Sequence, residues 1–164
     1  LDWYTGKRFE MGKSSMPPDM ERADSPSAWL KNARSDLVLA KMKLPPGGMY
    51  EHLCFHAQQT AEKSLKAVLL ALRMDFPFTH NIQILLNALS ETIDVPKELL
   101  LASKLTSYAT TIRYPGNAEP VSESDYRYAL ELAEPVFQWA EETVETLGSA
   151  PIEASPTSEL PPGG

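Results

Sequence analysis

Glu51-His52-Leu53-Cys54-Phe55-His56-Ala57-Gln58-Gln59-Thr60-Ala61-Glu62-Lys63-Ser64-Leu65-Lys66-Ala67-Val68-Leu69-Leu70 is the stretch whose reading decides the fold class. At about 100° per residue, Leu53, Cys54, Ala57, Ala61, Leu65, Val68 and Leu72 fall on one arc of roughly 120°. That arc is a core face, and it predicts a long helix from about Met49 to Arg73. His52, His56, Gln59, Lys63 and Lys66 fall on a separate arc of roughly 80°. Two histidines, an amide and two lysines on one stripe suit a phosphate or the anionic backbone of RNA. The plainer reading is a solvated outer face whose histidines bond to neighbours at the core edge. His52 and His56 have the i, i+4 spacing of a metal-binding pair, but Leu53 stands where a His-Glu-x-x-His motif needs Glu. His80 is the only other histidine, so no metal site is expected. Cys54 lies on the core face and reads as a small buried hydrophobe, not a nucleophile.

The flanking segments carry the same period. Ser25 can cap a first helix that has Pro26 at its first position. Trp29, Leu30, Ala33, Leu37 and Ala40 recur along it, and Pro45-Pro46-Gly47-Gly48 ends it. A third helix is expected from Thr79 as N-cap, with Ile82, Leu85, Leu86 and Leu89 as a clean i, i+3, i+4, i+7 stripe. A fourth starts at Pro96, carries Leu100, Leu101, Leu105, Tyr108 and Ile112, and stops at Pro115-Gly116. A fifth opens on the capping-box pattern Ser122-x-x-Asp125 and continues through Tyr126, Leu130, Ala133, Phe137, Ala140, Val144 and Leu147. Pro135 falls inside it and should bend it, because the Glu131 carbonyl loses its bond. No segment alternates as a strand does, and no internal repeat is present. The fold class is therefore all-α: an up-and-down bundle of about five helices over residues 26–147.

Residues 1–25 mix glycine, serine, proline and charge without an apolar period. Residues 148–164 hold Pro151, Pro156, Pro161 and Pro162 among serine and glycine. Both segments bury too little to offset chain entropy and are expected to be disordered. The 164 residues suit one domain, and 43% hydrophobic against 23% charged residues can bury one core. No apolar run approaches a bilayer span, and Asp2, Lys7, Arg8 and Glu10 do not read as a secretory signal. A single cysteine forms no internal disulfide, which fits a reducing cytoplasm. A pI near 5.0 argues against coating nucleic acid by charge alone. Charge is uneven: from Pro26 to Arg73 seven Lys or Arg face three acids, and from Ser122 to Leu147 one base faces seven acids. These are solvated faces, or two regions that attract each other or a second copy.

The order of three pieces carries a family resemblance. Phe55-His56-Ala57-Gln58-Gln59-x-Ala-Glu-Lys-x-Leu-Lys-Ala is similar to the second-helix signature of the HEPN domain. His80-Asn81-Ile82-x-x-Leu85-Leu86 resembles its short third helix, and Arg113-Tyr114-Pro115-Gly116 resembles the Arg-Tyr-Pro segment after the fourth helix in one branch. The resemblance implies a five-helix bundle, often paired into dimers. Many members are encoded beside a minimal nucleotidyltransferase and bind it, and the family name records a nucleotide-binding role. One branch comprises metal-independent ribonucleases, often toxins, in which an Arg is followed four to six residues later by a His. The Arg stabilises phosphorane charge and the His moves the proton. Here Arg113 is followed by Tyr114, Pro115, Gly116, Asn117, Ala118, Glu119 and Pro120, and no His occurs after His80. Arg73 and His80 have a permitted spacing in the wrong part of the fold.

The leading expectation is a non-catalytic, cytoplasmic HEPN interaction protein that binds a nucleotidyltransferase partner, a nucleotide, or both, in a toxin–antitoxin-like module. The alternatives are a ribonuclease toxin with a non-standard active site and a purely structural helical dimer. The expected ligand cleft comprises His56, Gln59, Lys63 and Lys66 from the second helix with Arg113 and Tyr114 from the end of the fourth. Arg113 can equally be a helix C-terminal cation that caps carbonyls. No cofactor is expected. The expected partners are a second copy of the chain, the nucleotidyltransferase, and a nucleotide or RNA.

Overall fold

The computed structural model describes residues 25–111 and 119–149. Five helical rods follow one another, and no strand occurs among the described residues: α1 (Pro26–Ala40), α2 (Tyr50–Ala71), α3 (Ile82–Ser90), α4 and α5 (Glu123–Ser149). The fourth rod runs as a 3₁₀ helix over Lys97–Ser107 and closes as an α-helical turn, Tyr108–Thr111. The ends expected to be disordered lie outside the described residues, except that Ser25 caps α1 and α5 continues through Gly148 and Ser149. No helix among the described residues is long and apolar enough to cross a membrane.

The caps explain where the helices begin. The Ser25 hydroxyl accepts from the Ala28 N–H at 3.1 Å, and Pro26 at the first position has no N–H to leave unpaired. α3 starts two residues later than its expected cap. Asn81 holds the cap position and its side chain accepts from Gln83 N–H at 2.9 Å, while the Thr79 hydroxyl accepts from Asn81 N–H at 3.0 Å. Ser122 and Asp125 form the reciprocal box at the start of α5: Asp125 N–H donates to Ser122 Oγ and Ser122 N–H donates to Asp125 Oδ2. α5 then passes through Pro135 as one element.

α2 touches every other rod and packs most extensively on α1 and α5. From Ala57 to Leu69 only Gln59 and Lys63 escape full burial. The expected core arc is therefore correct but too narrow, because α2 is enclosed on nearly all sides. Alanines line these interfaces: Ala40 of α1, Ala57 and Ala61 of α2, and Ala129, Ala133 and Ala140 of α5 share one core cluster. The Ile82, Leu85, Leu86 and Leu89 stripe of α3 is wholly buried beside them.

α4 corrects the expected phase. Leu100 and Leu101 are exposed, whereas Leu99, Ala102 and Leu105 are buried and Tyr108 packs against the core. A 3₁₀ helix has three residues per turn, so side chains three apart eclipse and residues 99, 102, 105 and 108 line one edge. An α-helical count therefore places Leu105 and Tyr108 correctly and puts Leu100 and Leu101 on the core side where Leu99 and Ala102 belong. Ile112 lies outside the described residues.

Part of the uneven charge is paired within the molecule. Arg34 and Lys41 of α1 pair with Glu141 and Glu134 of α5, and the Arg34 guanidinium stands 5.1 Å from the centre of the Phe137 ring. Such exposed pairs contribute at most about 1 kcal/mol each. Two part-buried contacts add to them. The Tyr126 hydroxyl donates to Ala40 O at 2.8 Å, and Val121 N–H donates to the Glu51 carboxylate at 3.1 Å.

α2 ends on an unusual residue. Arg73 has φ +57°, where a Cβ crowds the backbone. The turn requires that conformation: Met74 N–H donates to Leu69 O and Arg73 N–H to Leu70 O, both at 2.9 Å. Glycine is the residue that meets this demand without strain. Arg73→Gly is therefore expected to stabilise the fold by about 0.5–1 kcal/mol, read as a shift of the urea midpoint. A loss of stability would show that the Arg73 side chain makes a favourable contribution larger than the backbone strain.

Candidate functional site

A helix enclosed on nearly all sides must find internal partners for its buried polar groups. Thr60 and Ser64 donate back to the carbonyls of His56 and Thr60, at 2.8 and 2.6 Å. The charged groups converge on two buried carboxylates. Among the described residues, no buried side-chain nitrogen or oxygen lacks a partner.

The first carboxylate is Asp36 of α1, 7% exposed. It sits in the apolar spacing Ala33, Asp36, Leu37, Ala40, so the helix turns it inward toward α2. His56 Nδ1 lies 2.9 Å from its Oδ1, and Lys63 Nζ donates to its Oδ2 at 2.6 Å. A carboxylate only accepts, so His56 Nδ1 carries the proton and Nε2 is left as the second ring nitrogen.

The second is Glu62 of α2, 3% exposed. Lys66 Nζ donates to it at 2.7 Å, Gln58 Nε2 at 2.8 Å, and His80 Nδ1 stands 3.1 Å from both oxygens. Gln59 Nε2 donates to Gln58 Oε1 at 2.8 Å, with a longer approach to Glu62 at 3.4 Å. The Lys66 ammonium also lies 5.6 and 5.3 Å from the Trp29 and Phe76 ring centres. Burial raises the Glu62 carboxyl, but hydrogen bonds from Lys66 and Gln58, the Lys66 charge and the His80 hydrogen bond outweigh it, so the group sits below its ordinary value of 4.5.

The expected stripe thus divides. His56 and Lys63 are about 20° apart on the helix and meet Asp36, whereas Gln59 and Lys66 lie some 60–80° further round and meet the Glu62 cluster. His52 is exposed. Arg113 and Tyr114, the other two expected cleft residues, lie outside the described residues. Asp36, Gln58, Glu62 and His80 were missed as members of the site. The signals were present in the carboxylate inside the apolar spacing of α1 and in the Gln58, Glu62, Lys66 line at i, i+4 spacing. Among the described residues, no three His, Cys, Asp or Glu side chains group as metal ligands do. Cys54 is fully buried, and burial pushes its thiol up to about 12 despite a hydrogen bond with Tyr108.

Glu62→Ala strands the Lys66 ammonium in the interior, and losing one partner of a buried pair costs about 3–5 kcal/mol. Adding Lys66→Met removes the stranded charge, so the double variant is expected to regain part of that loss in urea denaturation. Equal stability of the single and double variants would refute the coupling. The pH dependence follows in sign. A carboxyl lowered in the folded chain contributes fully above its unfolded value, and the contribution fades as pH falls through the folded one. Wild type should therefore lose stability below about pH 4.5 more steeply than Glu62→Gln, and parallel curves would contradict this.

Comparison with known proteins places this geometry. The HEPN domain family model matches residues 26–143. The crystal structure of TT1696 from Thermus thermophilus superposes with a TM-score of 0.62 at 34% identity, covering 73% of this chain and 98% of that one. ST0689, described as an archaeal HEPN homologue, gives 0.59 at 27% identity over 73% and 98% of the two chains. No curated protein matches significantly. With its five helices, its central α2 and a family match over most of its length, the chain belongs to the HEPN domain family.

Proposed function

We propose that the chain is a non-catalytic HEPN interaction protein that binds a minimal nucleotidyltransferase, a nucleotide, or both, and that it works in the cytoplasm as a dimer. The observation that carries this reading is where the histidines are. Arg113 has no His after it, and His80 is the last in the chain. His52, His56 and His80 all precede the fourth rod, so none follows Arg113 at the spacing of the ribonuclease motif. An Arg alone offers charge stabilisation without proton transfer.

On this reading the ligand surface is made of His56, Gln59, Lys63, Lys66, Arg113 and Tyr114. A phosphate at Lys63 shares the ammonium with Asp36, so affinity depends on the added charge of Arg113, and a base stacks on Tyr114. A partner protein needs no such sharing, because it can use the surface with both ion pairs intact.

The test is co-expression with a small nucleotidyltransferase from the same genome, followed by size-exclusion chromatography, and calorimetry with ATP. A stable complex, or ATP binding weakened at least tenfold by Lys63→Ala with Arg113→Ala, is expected. Neither binding event, or cleavage of single-stranded RNA or tRNA abolished by Arg113→Ala, would overturn the proposal.

A further inference from the structure

The turn after α2 builds a cleft that the interaction surface above does not use as a whole. Trp29 of α1, Lys66 and Leu70 of α2, and Asp75, Phe76 and Phe78 of the following segment line a cavity of about 470 Å³, within the usual range for small-molecule sites. Its walls are held from several sides. The Arg73 turn folds Met74 back onto the core, Phe76 packs edge-on against Trp29 with ring centres 5.3 Å apart, and Pro77 fixes the backbone between the two phenylalanines. The Asn81 cap anchors the far end. Phe78, by contrast, is wholly exposed, so a large apolar ring stands at the lip with nothing covering it.

The polar groups narrow what can enter. The Lys66 side chain is 8% exposed and bonds one carboxylate, Glu62; its ammonium makes no second hydrogen bond among the described residues and stands 5.6 and 5.3 Å from the centres of the Trp29 and Phe76 rings that line the cleft. Asp75 is exposed and has no ion pair or hydrogen bond among the described residues. A purely anionic ligand would meet Asp75 as a like charge, and a purely cationic one would meet Lys66. A ligand that carries both charges on an apolar body satisfies both ends and fills the ring-lined wall.

We propose that this cleft binds a zwitterionic small molecule with a large apolar side chain, the class of free aromatic or branched aliphatic α-amino acids. The carboxylate of the ligand accepts from Lys66, its ammonium donates to Asp75, and its side chain lies against Trp29, Leu70, Phe76 and Phe78. The cleft shares Lys66 with the nucleotide and nucleotidyltransferase surface proposed above, but Asp75 and Phe78 do not belong to that surface, so their variants test the cleft alone.

Titration of the full chain with L-phenylalanine and L-leucine, followed by calorimetry and NMR shifts, tests it. N-acetyl-L-phenylalanine and L-phenylalaninamide serve as ligands with one charge removed. Saturable binding at millimolar concentrations or below is expected, weakened roughly tenfold or more by either blocking group, since each removes a charged hydrogen bond. Asp75→Asn should weaken the free amino acid by a similar factor while leaving N-acetyl-L-phenylalanine unchanged, and Phe78→Ala should weaken every ligand. Both substitutions are at exposed positions and leave the core intact. Absence of saturable binding, equal binding of the blocked forms, or indifference to Asp75→Asn would each overturn the proposal.

Discussion

Enclosing the middle of α2 on nearly all sides removes water as a partner for its buried polar side chains, and much of the remaining architecture answers that constraint. Glu62 cannot stay charged in the interior unless donors surround it, so Lys66, Gln58 and His80 converge there. Asp36 has the same need and draws His56 and Lys63. The first cluster ties α2 to the segment that leads into α3, and the second ties α2 to α1. Helix packing and charge pairing are therefore one arrangement: α1 and α3 are placed so that the central helix keeps its hydrogen bonds.

This arrangement sets what the polar side chains can do. Lys63 and Lys66 begin with their charges matched by a carboxylate, and His56 and His80 begin with one nitrogen engaged. A ligand at these groups enters an existing network and does not meet bare cations. That favours recognition by shape and shared hydrogen bonds over simple attraction of phosphate, in keeping with an acidic chain of net charge −7.

Helix positions were legible wherever local chemistry decides them. Ser25 with Pro26, and Ser122 with Asp125, are local signals, and both caps form. The apolar stripe of α3 is also local. The register of α4 was not legible, because Leu99, Leu100 and Leu101 offer three adjacent leucines and only the 3₁₀ winding chooses among them. The site was partly legible for a related reason. Helical spacing put Lys63 and Lys66 on one polar arc, but it carries no information on which neighbour each meets. Asp36 is 27 residues from Lys63 in sequence, and only the packing of α1 on α2 brings them together. Counting the cations of the arc does not reveal their buried counter-charges, Asp36 and Glu62.

Cys54 gives the molecule a property unconnected with binding. It is the only cysteine in the chain, it is fully enclosed, and burial holds its thiol protonated up to about 12. Only the thiolate reacts with electrophiles and oxidants. Alkylation must therefore wait until α2 parts from its neighbours, and the labelling rate of this one sulfur counts how often the bundle opens. The chain carries its own clock for that event, readable at neutral pH without any added probe residue.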